Sequence, residues 1–373
     1  MRCLIVVPSL RRAGAETQAI DLANGLASRG HSTHVFSFMT GTDQRNRLDR
    51  AVKFHYHLRK QKYSIEYIAK LTRLIDEEQI DVIHCVIQHS ALVSWIAAKL
   101  SKRMPPLVAA IHTTINYDVK SELADRLLYR HVLNRAASVV FVCKHQQEHW
   151  LEKYQSLSAR SVVVYNGIDA KRFNSEGFAL AGHELRNRLA IDQDMFMFCC
   201  IAAFRPEKGH DLLVKAFAGL PQHAVLVLAG DGIVRSKIEK LVKQLAVTER
   251  VKLLGNLSDV RPLLAASDAS ILASTAETFS MAMLESLAMR TPVIAPHIGG
   301  LSEAIVDGET GMLFPVGDYH SMTKSMLTMM KSSRLLETMG RLGEQKVRRE
   351  FSLDTMIRES ESVLFNAIDY EHD

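Results

Sequence analysis

Ser274-Thr-Ala-Glu-Thr-Phe-Ser-Met-Ala-Met-Leu-Glu285, followed eleven residues on by Pro296-His-Ile-Gly-Gly300, sets two carboxylates around the start of a helix. The apolar run before it, Ala269-Ser-Ile-Leu-Ala273, reads as a buried parallel strand, and Phe279 to Met289 carries the apolar spacing of a helix packed on a sheet. Glu277 then lies in the strand-to-helix loop and Glu285 about two turns into the helix. The unpaired N–H groups of Thr278, Phe279, Ser280 and Met281 are expected to point out of the helix end, where an anion gains about 0.3–1 kcal/mol. A diphosphate fits there. Two carboxylates would be repelled by such a group, so they are expected to face hydroxyls, which donate to them without a charge penalty. Sugar and ribose carry such hydroxyls. The plain alternative is that Glu277 caps a helix and Glu285 lies on its solvated face.

Outward from this stretch, strand-like and helical segments alternate through the whole chain. Strand character occurs at Cys3 to Pro8, His34 to Ser37, Asp81 to Cys85, Leu107 to Ile111, Ser138 to Val142 and Val162 to Tyr165. It resumes at Phe196 to Ala202, Ala224 to Ala229, Val251 to Leu254, Ala269 to Ala273 and Pro292 to Ala295. Such alternation predicts two α/β domains, each a doubly wound parallel sheet. The expected division is 1–174, a linker at 175–193 rich in small and polar residues, and 194–351. A helical run from Ser352 to the end has Met356, Ile357, Val363, Leu364 and Ile368 on its apolar positions.

The pattern Glu277-x7-Glu285, with its Glu-Thr-Phe-Ser core, the Leu284-Glu285 pair and Gly299-Gly-Leu-Ser-Glu303, resembles the signature of the retaining glycosyltransferases of family 4. The resemblance spans nearly the whole chain and is densest in residues 200–315. It implies the GT-B fold, two Rossmann-like domains facing across a cleft, with the run from 352 to 373 crossing back onto the first. It implies that Glu277 holds hydroxyls of the donor sugar and Glu285 the ribose. Lys208, before Gly209, matches the lysine that neutralises the leaving diphosphate. An arginine stands five residues before that lysine in the family; here Ala203 does, so either Arg205 substitutes for it or Arg205 faces solvent.

Other motifs fit the same resemblance. Gly230-Asp-Gly232 is similar to the turn near the nucleotide, and Gly255-Asn256 to the backbone that holds the base. Asp307-Gly308-x-x-Gly311-x-Leu313-x-Pro315 completes the pattern. In the first half, Pro8-Ser-Leu-Arg-Arg-Ala-Gly-Ala-Glu16 leads into a helix at Thr17 to Ser28 and stands where the family has Gly-Gly-x-Glu. Ala13 replaces the first glycine, leaving Gly14 as the flexible donor-side position. Glu16 either reaches the acceptor or caps the helix, and Arg11 and Arg12 lie on the acceptor side. His112, ending the strand in Val108-Ala-Ala-Ile-His112-Thr-Thr, is well placed for a site and matches a histidine lining the donor sugar. His84 and His89 are weaker candidates. Asn166-Gly-Ile-Asp169 is expected to supply positive φ for a tight turn. No Gly-x-Gly-x-x-Gly follows the first strand, which argues against a dinucleotide enzyme.

At 47% hydrophobic and 23% charged, the 373 residues have a globular composition. The net charge of +5 conceals an asymmetry: residues 1–172 carry 25 Lys+Arg against 15 Asp+Glu, the remainder 21 against 26. The basic groups Arg11-Arg12, Arg45/Arg47/Arg50, Arg59-Lys60/Lys62 and Lys102-Arg103 are either a solvated face or a field for an anionic partner. A lipid diphosphate, an anionic membrane or an acidic glycan are the candidates. Nucleic acid is not expected, since no recognition helix, aromatic sheet or zinc module accompanies the charge. Five cysteines form neither a disulfide framework nor a metal spacing. No run reaches the ~20 apolar residues of a membrane span and no secretory signal is read, so a cytoplasmic protein with peripheral membrane contact is expected.

The resemblance implies transfer of a hexose-type sugar from a nucleotide-sugar donor to a glycan or lipid-linked acceptor, without metal or cofactor. A sugar-nucleotide epimerase and a non-catalytic sugar-nucleotide or glycan binder remain open beside it.

Overall fold

β-Branched and other apolar residues in short runs build two separate parallel sheets. The computed structural model describes residues 1–59, 65–112 and 128–369. Lys60, Lys62, Thr113, Thr114 and the end of the C-terminal run, 370–373, lie outside the described residues. The chain divides into one unit of Met1–Gly167 with Leu353–Asp373 and a second of Ile168–Ser352.

The first sheet has seven strands: β1 (Arg2–Val6), β2 (Ser32–Ser37), β3 (Lys53–Tyr56), β4 (Val82–Val86), β5 (Leu107–Ile111), β6 (Ser138–Phe141) and β7 (Ser161–Val163). Their order is β3-β2-β1-β4-β5-β6-β7, with every pairing parallel. Central strands are buried on both faces, which is why they read as unbroken apolar runs. Leu4, Val6, Ile83, Cys85, Ala109 and Ile111 face one core. Cys3, Ile5, Val82, Val108 and Ala110 face the other, which also holds Met356, Ile357 and Leu364 from the helix Leu353–Asp369. Arg29 donates to Asp354 at 2.8 Å and to Glu361 at 3.1 Å, and His31 meets Glu361 at 2.5 Å, fixing that helix beside the helix Gly14–Ser28.

The second sheet has six strands: β8 (Phe196–Ile201), β9 (Ala224–Ala229), β10 (Val251–Gly255), β11 (Ala269–Ile271), β12 (Val293–Pro296) and β13 (Gly311–Phe314). Their order is β10-β9-β8-β11-β12-β13, again all parallel. In each sheet the order reverses once, between β1 and β4 and between β8 and β11. Ligands of open α/β sheets bind beyond the carboxyl ends of strands at such a reversal.

Three expectations are corrected. The segment expected as a linker, 175–193, is folded into the second unit: the helix Ala179–Arg188 lies so close to Arg261–Ala266 that a Cβ on Gly182 would sit 2.8 Å from the Ala265 carbonyl carbon. The small residues that suggest a linker are what permit this approach. Arg186, 7% exposed, donates there to the Ala266 carbonyl at 2.7 Å and the Asp268 carboxylate at 2.7 Å. The break between units falls at Gly167/Ile168, not at 174. Neither Asn166 nor Gly167 has positive φ; the segment is instead held by Gln18, whose amide exchanges two hydrogen bonds with the Gly167 backbone, at 2.8 and 3.0 Å.

Candidate functional site

The loops after β8 and β11 flank the reversal of the second sheet, and the chain ties them together. After β8 the backbone runs through a 3-10 turn, Pro206–Lys208, to Gly209 and the helix His210–Ala218. After β11 it runs through Ser274 to Ser280 into the helix Met281–Ala288. Thr275 N–H donates to the Glu207 carbonyl at 2.8 Å, and Gly300 N–H to the Thr278 carbonyl at 2.7 Å, so the loop after β12 joins as well.

Within this frame Lys208 Nζ donates to Glu277 Oε2 at 2.5 Å, with the two side chains only 17% and 13% exposed. Two expected site residues 69 positions apart are thus brought into contact. In a partly desolvated setting such a pair is stronger than one on the surface, and each partner depends on the other.

The glycines explain how the loops approach so closely. Gly209 has φ +62, and a Cβ there would sit 2.0 Å from the Ala273 carbonyl oxygen. Gly299, at φ +53, lies likewise against the Glu277 carbonyl, and Gly232, at φ +156, against that of Phe204. Gly255 has φ +72, and its carbonyl accepts from Gly230 N–H at 2.8 Å, so the loops beyond β8, β9 and β10 are also joined. Asn256 is exposed beside it.

Other expected residues are placed differently. The helix begins at Met281, so Glu285 stands one turn in rather than two, and the free helix-end amides are not those of Thr278, Phe279 and Ser280. Ser280 is the cap, its Oγ accepting from Met283 N–H at 3.4 Å. Phe279 is buried, its ring 5.4 Å from that of Phe351, and so anchors the loop. Arg205 meets Lys208 through its backbone, its carbonyl accepting from Lys208 N–H at 3.0 Å. It pairs with Glu207 at 2.9 Å, is 56% exposed and lines a separate cavity of about 140 Å³ with His210, Asp211, Val234, Lys237 and Ile238. His210 went unread in the sequence as anything but a helix start. It is buried, stacks on Phe204 at 4.2 Å and has neither ring nitrogen bonded.

In the first unit, Gly14 opens the helix Gly14–Ser28 without positive φ. Glu16 does not cap it: the cap is Ala13, with no side-chain bond, and Glu16 accepts from Ser9 Oγ at 3.3 Å. Arg11 is held by Thr40, donating to its carbonyl at 3.0 Å and its hydroxyl at 2.8 Å, while Arg12 is exposed. His112 follows the last residue of β5 and, with Gln18, His84, Asn166 and Ser360, lines a cavity of about 30 Å³, room for one water. His84 is buried there with Nδ1 unpaired. Ile87, directly after β4 at the reversal of this sheet, has φ +65, an outlier for a β-branched residue that no spacing in the sequence signals.

Burial holds the imidazoles of His34 and His112 at about 4 and that of His84 at about 3 in the first unit, and that of His210 at about 4 in the second. Unfolding returns each toward about 6.5, so the unfolded chain binds more protons below that pH. Stability is present above about pH 6.5 and falls as pH drops toward the folded values, by at most about 1.4 kcal/mol per pH unit for each histidine. The first unit holds three of the four and is expected to lose protection first between pH 7 and 5. Hydrogen exchange, corrected for intrinsic rates, checks this; equal loss in both sheets would contradict it.

Two doubly wound parallel units, each with one reversal of strand order, define a class of α/β proteins with paired Rossmann-like domains. Residues 12–172 match the family described as Glycosyltransferase Family 4, and residues 183–346 the one described as Glycosyl transferases group 1. The chain belongs to the glycosyltransferases of family 4, and it is a transferase of the GT-B fold. It is 27% identical over 369 residues to the N-acetyl-alpha-D-glucosaminyl L-malate synthase of Bacillus anthracis, covering 95% of this chain and 94% of that one. Over 216 residues, 58% of this chain and 56% of the other, it is 26% identical to the N-acetylgalactosamine-N,N'-diacetylbacillosaminyl-diphospho-undecaprenol 4-alpha-N-acetylgalactosaminyltransferase of Campylobacter jejuni. Its fold is similar to that of Anabaena HepE, solved with UDP and glucose, at a TM-score of 0.87 and 22% identity, over 98% of this chain and 99% of that one. No helix among the described residues is long and apolar enough to cross a membrane.

Proposed function

We propose that this glycosyltransferase transfers a hexose-type sugar, with retention of configuration, from a nucleotide diphosphate sugar to a glycan or lipid-linked acceptor in the building of cell-surface polysaccharide or glycoconjugate. The observation that carries the reading is the part-buried contact of Lys208 with Glu277 at the reversal of the second sheet. A donor diphosphate competes for the ammonium and releases the carboxylate to the sugar hydroxyls. As the bond from the anomeric carbon to the leaving oxygen breaks, charge grows on the β-phosphate, and a fixed cation stabilises that state more than the ground state. The acceptor hydroxyl attacks the same face, its proton passing to the leaving phosphate. Glu285 binds the ribose, and the helix-end amides and Lys208 balance the diphosphate without metal. His112 and the loop from Arg11 to Glu16 are the positions that the family resemblance assigns to the donor sugar and the acceptor. Peripheral residence at an anionic membrane face belongs to the same reading. The nucleotide-sugar part is supported by the UDP bound in a relative of the same fold, and the acceptor part by the diphospho-undecaprenol acceptor in the name of the Campylobacter enzyme.

Calorimetry with UDP, GDP, ADP and their common sugar conjugates tests the reading. One nucleotide is expected to bind selectively, and Glu285→Ala to weaken it about 10–100-fold, the worth of a hydrogen bond to a charged group at about 1.5–3 kcal/mol. Unchanged binding in the variant would remove Glu285 from the site. Product analysis then separates a transferred sugar from an epimerised or untouched donor.

A further inference from the structure

A second surface lies at the opposite edge of the first sheet. Leu107, at the amino end of β5, and Ala137, just before β6, line a groove of about 650 Å³ together with Trp95 and Met104. A smaller hollow of about 220 Å³ continues it past Arg160 and Ala137 to Asn366. Every charged residue lining either hollow, among the described residues, is a cation: Lys99, Arg103, Arg135 and Arg160. Three of these are held in place. Arg103 donates to the Ile80 carbonyl and the Asp81 carboxylate, each at 3.1 Å, Arg135 to the His131 carbonyl at 3.2 Å, and Arg160 to the Asn134 carbonyl. Inside the groove the Trp95 ring N–H is buried without a partner.

The segment at the groove's rim carries two protruding apolar side chains among its cations. Leu100 is 67% exposed and Met104 52% exposed, and they flank Lys102 and Arg103 in Lys99-Leu-Ser-Lys-Arg-Met104. Met104 holds φ +45 ahead of Pro105, a left-handed conformation that costs a non-glycine residue free energy. Protruding apolar side chains set among cations are the chemistry of an interface with lipid: the apolar groups enter the acyl boundary and the cations meet phosphate.

We propose that this amino-edge surface docks on an anionic lipid bilayer, with lipid phosphates seated among Lys99, Arg103, Arg135 and Arg160 and with Leu100 and Met104 inserted. The proposal rests on the part of the reading above that places the protein at an anionic membrane face, and it identifies the surface. That surface is distinct from the transfer site. Leu107 opens β5 in the groove, His112 follows its other end, and a five-residue strand spans roughly 17 Å between them.

Co-sedimentation with vesicles of phosphatidylcholine, alone or mixed equally with phosphatidylglycerol, tests it, with nucleotide binding measured on the same proteins. The wild type is expected to bind only the mixed vesicles, less as salt rises. Lys99→Ser with Lys102→Ser should lower partitioning about 30-fold, at about fivefold per lysine. Leu100→Ser with Met104→Ser should lower it too, and neither pair should change nucleotide binding. No binding to mixed vesicles, equal binding by the variants, equal binding to both vesicle types, or binding to heparin without vesicle binding would each overturn the proposal. Loss of nucleotide binding in the wild type would instead overturn the transferase site and leave the surface standing.

Discussion

Lys208→Ala is expected to slow sugar transfer by about 10²–10³-fold, the loss typical of removing one preorganised group that stabilises transition-state charge. The effect should fall mainly on kcat, because the cation matters most once the leaving diphosphate has gained its charge. The same substitution has a second consequence in the free protein. Glu277, with its side chain 13% exposed, loses the ammonium 2.5 Å away and is left as a poorly hydrated carboxylate. Breaking a buried pair from one side costs about 3–5 kcal/mol, and the residual exposure here places the loss at or below the lower end. The two effects can be separated. Lys208→Ala combined with Glu277→Gln should regain much of the thermal stability and none of the turnover. A single variant turning over within threefold of wild type would remove Lys208 from the chemistry.

Gly209→Ala is expected to destabilise the second unit by about 2–5 kcal/mol. A left-handed backbone costs alanine about 1–2 kcal/mol, and the new methyl would overlap the Ala273 carbonyl, 2.0 Å away, adding about 1–3 kcal/mol as neighbours shift. Gly308, at φ +78 with nothing within 4 Å, is the internal control, since Gly308→Ala should cost only the backbone share. Thermal unfolding of both variants decides the matter. Equal losses would mean that the overlap at Gly209 relaxes freely and that the two loops are not held against each other.

The alternation of apolar runs made the parallel architecture legible, and Leu107–Ile111 and Ala224–Ala229 form strands at the expected bounds. Two of the four edge strands, β3 and β13, were not legible. Lys-Phe-His-Tyr is half polar because one side of an edge faces no neighbour, and Gly311 and Pro315 around β13 read as turn signals. The helix Ala179–Arg188 was hidden because its alanines and glycine serve close packing rather than an apolar stripe. In the candidate site, Lys208 and Glu277 stood out one at a time, but their contact depends on β8 lying next to β11, a fact of strand order that no local spacing encodes. Arg205 is exposed and pairs with Glu207, two residues on, a local contact that the spacing of the motif does not signal.

The closing helix Leu353–Asp369 gives the first unit part of its core, including Met356, Ile357, Leu364 and Ala367. On the ribosome, therefore, the amino-terminal half emerges first and finishes last. The 185 residues of Ile168–Ser352 must be synthesised in between, which takes roughly 10–40 s at about 5–20 residues per second. Through that interval the face of the first sheet that the last helix covers stays open to chaperones or to a neighbouring nascent chain. The second unit, continuous in sequence, can close as soon as it has left the exit tunnel. A stop codon that removes only the last helix would thus spare the half synthesised most recently and expose the half synthesised first.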